Sequence, residues 1–296
     1  MRVLIAGASG LIGTELCAQL ESAGHTVARL VRAEPRSSQE HRWDPAALSL
    51  DPALLDQADA VVNLSGASLA RLPWTPGYRK EILRSRVHAT RTLTDAMRRS
   101  ASPPAALLNA SAAGIYGNRP GEELTEESAL GTDFLATVVA AWEAEAALAP
   151  PATRVVTFRT GLVIARGGAL RPLFPLVRLG LAGPLGPGSQ HWPWISLHDE
   201  AAAIRHLLGS SLTGPVNLVG PTPATSNQVI KALADALHRP FVLPVPAKIL
   251  TLALQDAARQ LLLADQQVSS AKLQSDGFVF THRTPIEAID WMLRRP

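Results

Sequence analysis

The most constraining stretch of the chain lies near its first residues. An apolar run, Val3-Leu4-Ile5-Ala6, passes without a break into Gly7-Ala8-Ser9-Gly10-Leu11-Ile12-Gly13. A continuous apolar run of this length reads as a strand buried on both faces. The glycines then have distinct tasks. Gly7 permits a tight turn, Gly10 lets backbone come close to a bound anion, and Gly13 lets the next element lie against the strand. That element is a helix over 11–23, with Ile12, Leu16 and Leu20 four residues apart and Gly24 as its stop. Its first N–H groups have no partner within the helix, so they form a ready site for phosphate. The spacing is GxxGxxG, one residue removed from the GxGxxG form.

The same alternation continues. Apolar segments at 25–31, 58–66, 105–111 and 153–161 read as strands, separated by helical patterns at about 78–100 and 133–148. Strands that alternate with helices pair in parallel through right-handed crossovers. The expectation is an α/β fold, a Rossmann-like doubly wound parallel sheet with a smaller C-terminal substrate lobe. The lobe begins to show at about 166, where Gly and Pro become dense over 166–193. Short candidates follow at 194–197, 199–209, 215–220 and 226–238, then a long apolar helix after 241–247 and a last helix at 284–294. The division expected is 1–220 for the nucleotide-binding domain, with substrate-lobe insertions from about 166, and 240–296 for a small C-terminal domain.

Composition narrows the partners. The chain has 296 residues, 28 basic and 25 acidic, for a net charge of +3. So small an excess is no nucleic-acid footprint. The single Cys17 excludes an internal disulfide and a cysteine metal cluster, and no His/Asp/Glu group has metal-ligand spacing. The most apolar later stretches, 169–188 and 247–264, are interrupted by charges and prolines, so no span is expected. These observations suggest a cytoplasmic protein with a small-molecule substrate, no nucleic-acid partner, no membrane partner and no metal.

The second strand selects the nucleotide. NAD sites place an acid near its end, where it meets the ribose hydroxyls. Here the segment reads RLVRAEPR, with Arg32 in that place, Arg29 and Arg36 close by, and Glu34 beyond the strand end as the rival acid. An arginine there can pair with a 2′-phosphate and stack on adenine, which favours NADP(H). The alternative for Arg32 is a solvated surface residue.

Beyond the glycines, VVNLSGAS (61–68), NASAAGIYG (109–117) and RTGLVIARGG (159–168) resemble the third-strand, fourth-strand and post-fifth-strand segments of the short-chain dehydrogenase/reductase superfamily, extended type. RKEILRSRVHATRTL, DFLATVVAAWEAEA, LVRLGLAGPLGPGSQHWPWISLHDE and LPVPAKIL resemble, more narrowly, an NAD(P)-binding epimerase-like family with a small C-terminal domain of unknown function. The resemblance covers essentially the whole chain. It implies cofactor contacts from Gly7, Ser9, Gly10, Leu11, Ile12, Gly13, Arg32, Leu64, Ser65 and Val163.

The superfamily's acid/base chemistry rests on Tyr-x-x-x-Lys, in which lysine lowers the tyrosine pKa from one helical turn away. Two tyrosines can be tested, and both fail: Tyr78 is followed four residues on by Ile82, and Tyr116 by Pro120. Matched by its glutamate, helix 133–148 has Leu135 and Val139 at the two positions, on an apolar stripe with Val138 and Trp142. Ser111, one residue early for the superfamily's upstream serine, is the weak catalytic candidate, weighed against a structural strand-end hydroxyl. Tyr116 reads as a loop anchor. In helix 78–100 the inward stripe of Thr90, Leu93 and Met97 runs back to Arg86, and a core-facing arginine is costly unless paired. Arg86, with Glu81 as the nearest local carboxylate, is expected to border the cofactor cleft and to contact cofactor or substrate. The alternative is a structural ion pair. Trp74, His191, Trp192 and Trp194 are expected in loops overhanging the sheet's C-terminal edge, as an aromatic wall with one titratable group. His198 and Asp199 open a helix, with Asp199 as its N-terminal charge or cap.

The function expected is an NADP(H)-dependent oxidoreductase or epimerase-like enzyme on a small carbonyl or sugar-like substrate, without the usual Tyr/Lys pair. The alternative is a catalytically silent NADP(H)-binding sensor or regulatory protein.

Overall fold

The structure is a computed structural model, and it describes residues 1–168 and 170–295. The chain runs β1 Arg2–Ala6, α1 Leu11–Ser22, β2 Thr26–Val31, β3 Glu40–Arg42, β4 Ala60–Asn63, α2 Pro76–Arg99, β5 Ala106–Ala112, β6 Glu123–Leu124, α3 Phe134–Ala146, β7 Arg154–Thr160, β8 Leu162–Ile164 and α4 Leu173–Arg178. It continues through β9 Trp194–Ser196, α5 Leu197–Gly209, β10 Gly214–Leu218, α6 Ser226–Ala236, α7 Ala247–Leu254, β11 Gln267–Val268, α8 Ala271–Ser275 and α9 Pro285–Arg294.

Seven strands form one sheet in the order β10-β7-β5-β4-β1-β2-β3, with every pairing parallel. The strand order reverses between β1 and β4, which opens a crevice at their carboxyl ends. Gly7–Gly13 sits at the mouth of that crevice. Helices cover both faces, α1 and α5 on one and α2 and α3 on the other. Two apolar cores result. Ile5, Leu16, Val62, Phe158 and Leu207 belong to the first, and Leu4, Leu30, Val61, Leu93 and Met97 to the second. Successive residues of β1 and β4 divide between the two, which is why these strands read as unbroken apolar runs.

Four features differ from the sequence reading. β3 was not foreseen, because Glu40-His41-Arg42 is a polar edge strand without an apolar pattern. The segment 197–218, although it follows the start of the expected substrate-lobe insertions at about 166, supplies β10 to the edge of the main sheet and α5 to its face beside α1. The long apolar helix after 247 is broken. α7 ends at Leu254, Gln255 turns at φ +51, and one π-helical turn follows over Ala258–Leu262. The break lets Ala257 bury itself among Trp74, Ile82, Leu135 and Val138, a gain that a straight helix could not reach.

The fourth difference concerns the aromatic wall. Trp192 and Trp194 are buried among Ile164, Val229, Ile230, Ile289 and Met292. Their indole N–H groups donate to the carbonyls of Leu262 and Thr222. They are the core of the lobe and not the wall of a cleft. Trp74 is buried as well, while His191 is half-buried, with Nδ1 2.9 Å from Asp265 Oδ1.

Asp199 is an acid in the first turn of α5 and not its cap, which is Ser196, whose Oγ accepts from Asp199 N at 2.9 Å. The buried Asp199 carboxylate accepts from Ser196 Oγ and from the backbone N–H groups of Thr281 and His282, each at 2.9 Å. It thereby pins the approach to α9 onto the sheet domain. A second tie joins Arg295 to Glu15 in α1.

Candidate functional site

The crevice is built around the first turn. Gly7 has φ +85, and a Cβ there would lie 2.8 Å from the carbonyl carbon of Leu64. A Cβ on Gly13 would lie 2.3 Å from Gly7 O, so only glycine lets α1 approach β1 this closely. Gly10 is the N-cap of α1 and has no side chain with which to satisfy the helix. Its own N–H bonds to Gly7 O, and the first intrahelical bond runs from Thr14 N to Gly10 O. The N–H groups of Leu11, Ile12 and Gly13 are therefore left for a ligand, at the positive end of a twelve-residue helix. A pyrophosphate fits this cradle. Ser9, Gly10 and Leu11 are exposed on its rim. Leu64 and Ser65 leave β4 directly opposite, with Ser65 N held by Asn63 Oδ1 at 3.1 Å.

The candidates around β2 fall into two groups. Arg29 is tied to Glu21, and Arg42 to Glu34, which takes the rival acid out of play. Arg32 is exposed at the strand end and carries no salt bridge among the described residues. Its guanidinium is free to meet a 2′-phosphate.

Arg86 lies where the inward stripe of α2 reaches the crevice. Its guanidinium packs 5.1 Å from the Trp142 ring centroid and against Gly66, where a Cβ would stand 3.1 Å from Cζ. Nη1 donates to Ile82 O at 3.0 Å and Ala67 O at 3.2 Å. Burial brings its pKa down to about 10. The expected partner fails to arrive. Glu81 is exposed on the far side of the helix, because five residues turn it well away from Arg86. No ion pair forms between them, and the structural-pair alternative is thereby removed. Arg86 has carbonyls for company and no carboxylate among the described residues, a costly arrangement that an anionic ligand would relieve.

Beneath Arg86 lies a buried amide and hydroxyl array. Asn63 Nδ2 donates to Thr90 Oγ1 at 2.9 Å and to Asn109 Oδ1 at 2.7 Å, and Trp142 Nε1 donates to Thr90 Oγ1 at 2.9 Å. It fixes the ends of β4 and β5 and the inner face of α2 relative to one another.

On the α3 side, Leu135 and Val139 are buried and apolar. Leu135 also sits beneath the π-helical turn, its N–H donating to Gln260 Oε1 at 2.9 Å. Helix α3 therefore offers the crevice neither acid nor base at these positions. Ser111 is buried, and its hydroxyl donates to Glu143 at 2.5 Å. Glu143 also receives Nε and Nη2 of Arg159, both at 2.9 Å. Arg159 Nη1 reaches Tyr116 Oη at 3.0 Å, and Tyr116 in turn donates to Asn217 at 2.7 Å. Burial works against the charge on Arg159, but Glu143 outweighs it and raises the arginine pKa. Burial also raises the Tyr116 phenol. This chain of contacts clamps β5, β7, β10 and α3 together, and the Ser111 proton is committed to it. An arginine inside the otherwise apolar run VVTFRTG was the sequence signal for the clamp. Val163, buried in β8, contributes to the core beside the crevice.

No local sequence signal marks Glu200. It lies in the first turn of α5, fully buried, with Oε1 accepting from Thr160 Oγ1 at 2.7 Å and Oε2 without a partner. Burial lifts its pKa to about 8, so it carries a proton at neutral pH. The adjacent apparent N-terminal charge pair Asp199-Glu200 hides two opposite environments.

A seven-stranded parallel sheet with a glycine cradle at its reversal point defines a dinucleotide-binding protein of the Rossmann-like kind. A model of the NAD dependent epimerase/dehydratase family matches residues 3–220, and one of a domain of unknown function, DUF1731, matches 245–292. The chain belongs to the NAD dependent epimerase/dehydratase family. It is 39% identical over 297 residues to an epimerase family protein of Mycobacterium bovis, covering 99% of this chain and 98% of that one. It is 33% identical over 286 residues to the human epimerase family protein SDR39U1, covering 95% and 96%. A crystal structure of human SDR39U1 (isoform 2) with NADPH superposes with a TM-score of 0.92 at 31% identity, covering both chains fully. A nucleoside-diphosphate sugar epimerase from Corynebacterium glutamicum gives 0.81 at 33% identity, covering 99% of this chain and 58% of that one. No described helix is long and apolar enough to cross a membrane.

Proposed function

We propose that this chain is an NADP(H)-dependent oxidoreductase or epimerase-like enzyme of the cytoplasm, acting on a small carbonyl or sugar-like substrate. The observation that carries the reading is the uncapped α1 N-terminus behind a cradle that admits only glycine at Gly7 and Gly13. In this reading Gly7, Ser9, Gly10, Leu11, Ile12 and Gly13 receive the pyrophosphate, and Arg32 receives the 2′-phosphate. Leu64, Ser65 and Val163 flank the nucleotide. Arg86 supplies the positive charge that cofactor or substrate neutralises. Glu81 takes no part, since its side chain faces solvent. A relative of the same family is solved with NADPH, which supports the cofactor.

The nicotinamide would supply hydride chemistry. The protein's own part is binding, orientation and exclusion of water. With Leu135 and Val139 on α3, proton transfer cannot follow the Tyr/Lys route. The Ser111 hydroxyl, bound to Glu143, remains able to accept a hydrogen bond from a substrate, which is the weaker of the two roles a serine can play.

Titration with NADPH, NADP and NAD, followed by nucleotide fluorescence and competition, tests the reading. NADPH should bind well ahead of NADH, and the bound nucleotide should be oxidised by some member of a carbonyl panel. Binding without turnover would support the silent sensor. Failure of every nucleotide to bind would remove both readings.

A further inference from the structure

The small lobe carries an exposed apolar surface. Residues 179–186 and 240–247 run side by side, with bridges from Ala182 to Phe241 and from Leu185 to Val245, and with the N–H groups of Val242 and Leu243 both directed at Ala182 O. α7 continues from the second segment and buries none of its eight residues. Leu176, in α4 just before the first strip, and Leu179 and Leu181 within it are 45%, 72% and 46% exposed. Val242 and Leu243 stand beside them at 65% and 45%. Ile249 and Leu252, three apart on α7 and so on one face, reach 57% and 85%. These seven make up nearly half of the large apolar side chains that the described chain leaves exposed. Scattered single exposures are ordinary, but a concentration of this kind marks a contact surface.

The two stretches that form the patch carry charge of one sign. No acidic residue occurs between Glu145 and Asp199, and none between Asp235 and Asp256. Arg171, Arg178, Arg239 and Lys248 are all exposed within these two stretches. The flanking acids are already engaged, Asp235 by Lys231 and Asp256 by Arg79 and Arg259. A chain with a net charge of only +3 thus gathers apolar groups and unpaired cations on one lobe.

We propose that this face docks on an anionic lipid surface, with the leucines, Val242 and Ile249 entering the headgroup and acyl boundary and the four cations meeting lipid phosphates. Apolar projections rimmed by Arg and Lys are what interfacial binding requires. A second copy of the chain fits poorly, because a two-fold contact would set the same cations against each other. The expected lack of a membrane partner rested on the lack of a spanning segment, which says nothing of a surface.

The test is sedimentation of the full chain with sucrose-loaded vesicles of phosphatidylglycerol or of phosphatidylcholine. Phosphatidylglycerol vesicles should carry the protein down at low salt, and phosphatidylcholine vesicles should not. Each cation removed should lower the partition about fivefold. The double variants Leu179→Asp/Leu252→Asp and Arg178→Glu/Lys248→Glu should both release it while keeping the wild-type melting temperature, since all four side chains are exposed. No sedimentation with phosphatidylglycerol would overturn the proposal. So would equal binding to both lipids, unchanged binding in both variants, or a wild-type dimer that Leu179→Asp/Leu252→Asp dissolves without any vesicle binding.

Discussion

Replacing Glu200 by glutamine should stabilise the protein at neutral pH and leave it no more stable in acid. The carboxyl is fully buried, accepts one hydrogen bond from Thr160, and leaves its second oxygen unpartnered. Its pKa is about 8 in the folded chain against an ordinary 4.5. The sign follows from linkage. Below the unfolded value both states hold the proton, so no penalty exists. Between the two values the unfolded chain releases the proton and the folded chain keeps it, so stability falls as pH rises. Above the folded value the loss is complete. One pH unit within that window is worth about 1.4 kcal/mol, so wild type loses about 3 kcal/mol by pH 7. Glutamine keeps the acceptor for Thr160 and does not titrate. Its amide N–H groups lack an acceptor, which takes back about 1–2 kcal/mol at every pH. The net gain at neutral pH is then about 1–2 kcal/mol, or a few degrees in melting temperature for a chain of this size. Thermal melts of both proteins in a buffer series from about pH 5 to about pH 9 provide the assay. The difference in stability should widen steadily toward pH 8 and then level off. A difference that stays constant across the series would overturn this account, because a solvated Glu200 that titrates at its ordinary value has no such window.

Other residues allow equally direct checks. Arg32→Ala should weaken NADPH binding by about tenfold or more and leave NADH binding unchanged, since a charge-assisted pair to the 2′-phosphate contributes about 1.5–3 kcal/mol; equal losses for both nucleotides in a fluorescence titration would place Arg32 elsewhere. Arg86→Ala should lower nucleotide or substrate affinity without lowering the melting temperature, because it removes a buried charge that has no carboxylate partner. Gly13→Ala should abolish NADPH binding, as its methyl would meet Gly7 O at 2.3 Å, and calorimetric titration would show it. Asp199→Ala leaves two buried donors, Ser196 Oγ and the His282 N–H, and the N–H of the exposed Thr281 without their acceptor, so it should cost about 2–3 kcal/mol and expose the chain beyond residue 276 to limited proteolysis.

The main sheet is legible in the sequence because its signals are local. An apolar run, three glycines and an amphipathic helix each act within a few residues, and together they leave one plausible βαβ unit. The local pattern misleads where the same residue type serves two surroundings. GSQHWPW reads as a loop of exposed aromatics, yet Trp192 and Trp194 are core, because α6 and α9 return from far along the chain to cover them. The apolar stretch after 247 reads as one helix, yet the pocket that receives Ala257 is built by α2 and α3, more than a hundred residues earlier.

The sequence alone settled two things about this protein. The glycine spacing required a strand-turn-helix with open amides, since no other residue tolerates those approaches. The tyrosine and lysine positions excluded the superfamily's catalytic pair, since helical spacing admits no substitute. Only the tertiary structure decided what the charged groups mean. It left Arg86 desolvated without a carboxylate, turned Glu81 to solvent, spent Ser111 and Tyr116 on the clamp with Glu143 and Arg159, and buried Glu200 with its proton. Burial and pairing depend on which distant segments arrive at a residue, and a local pattern holds no record of that.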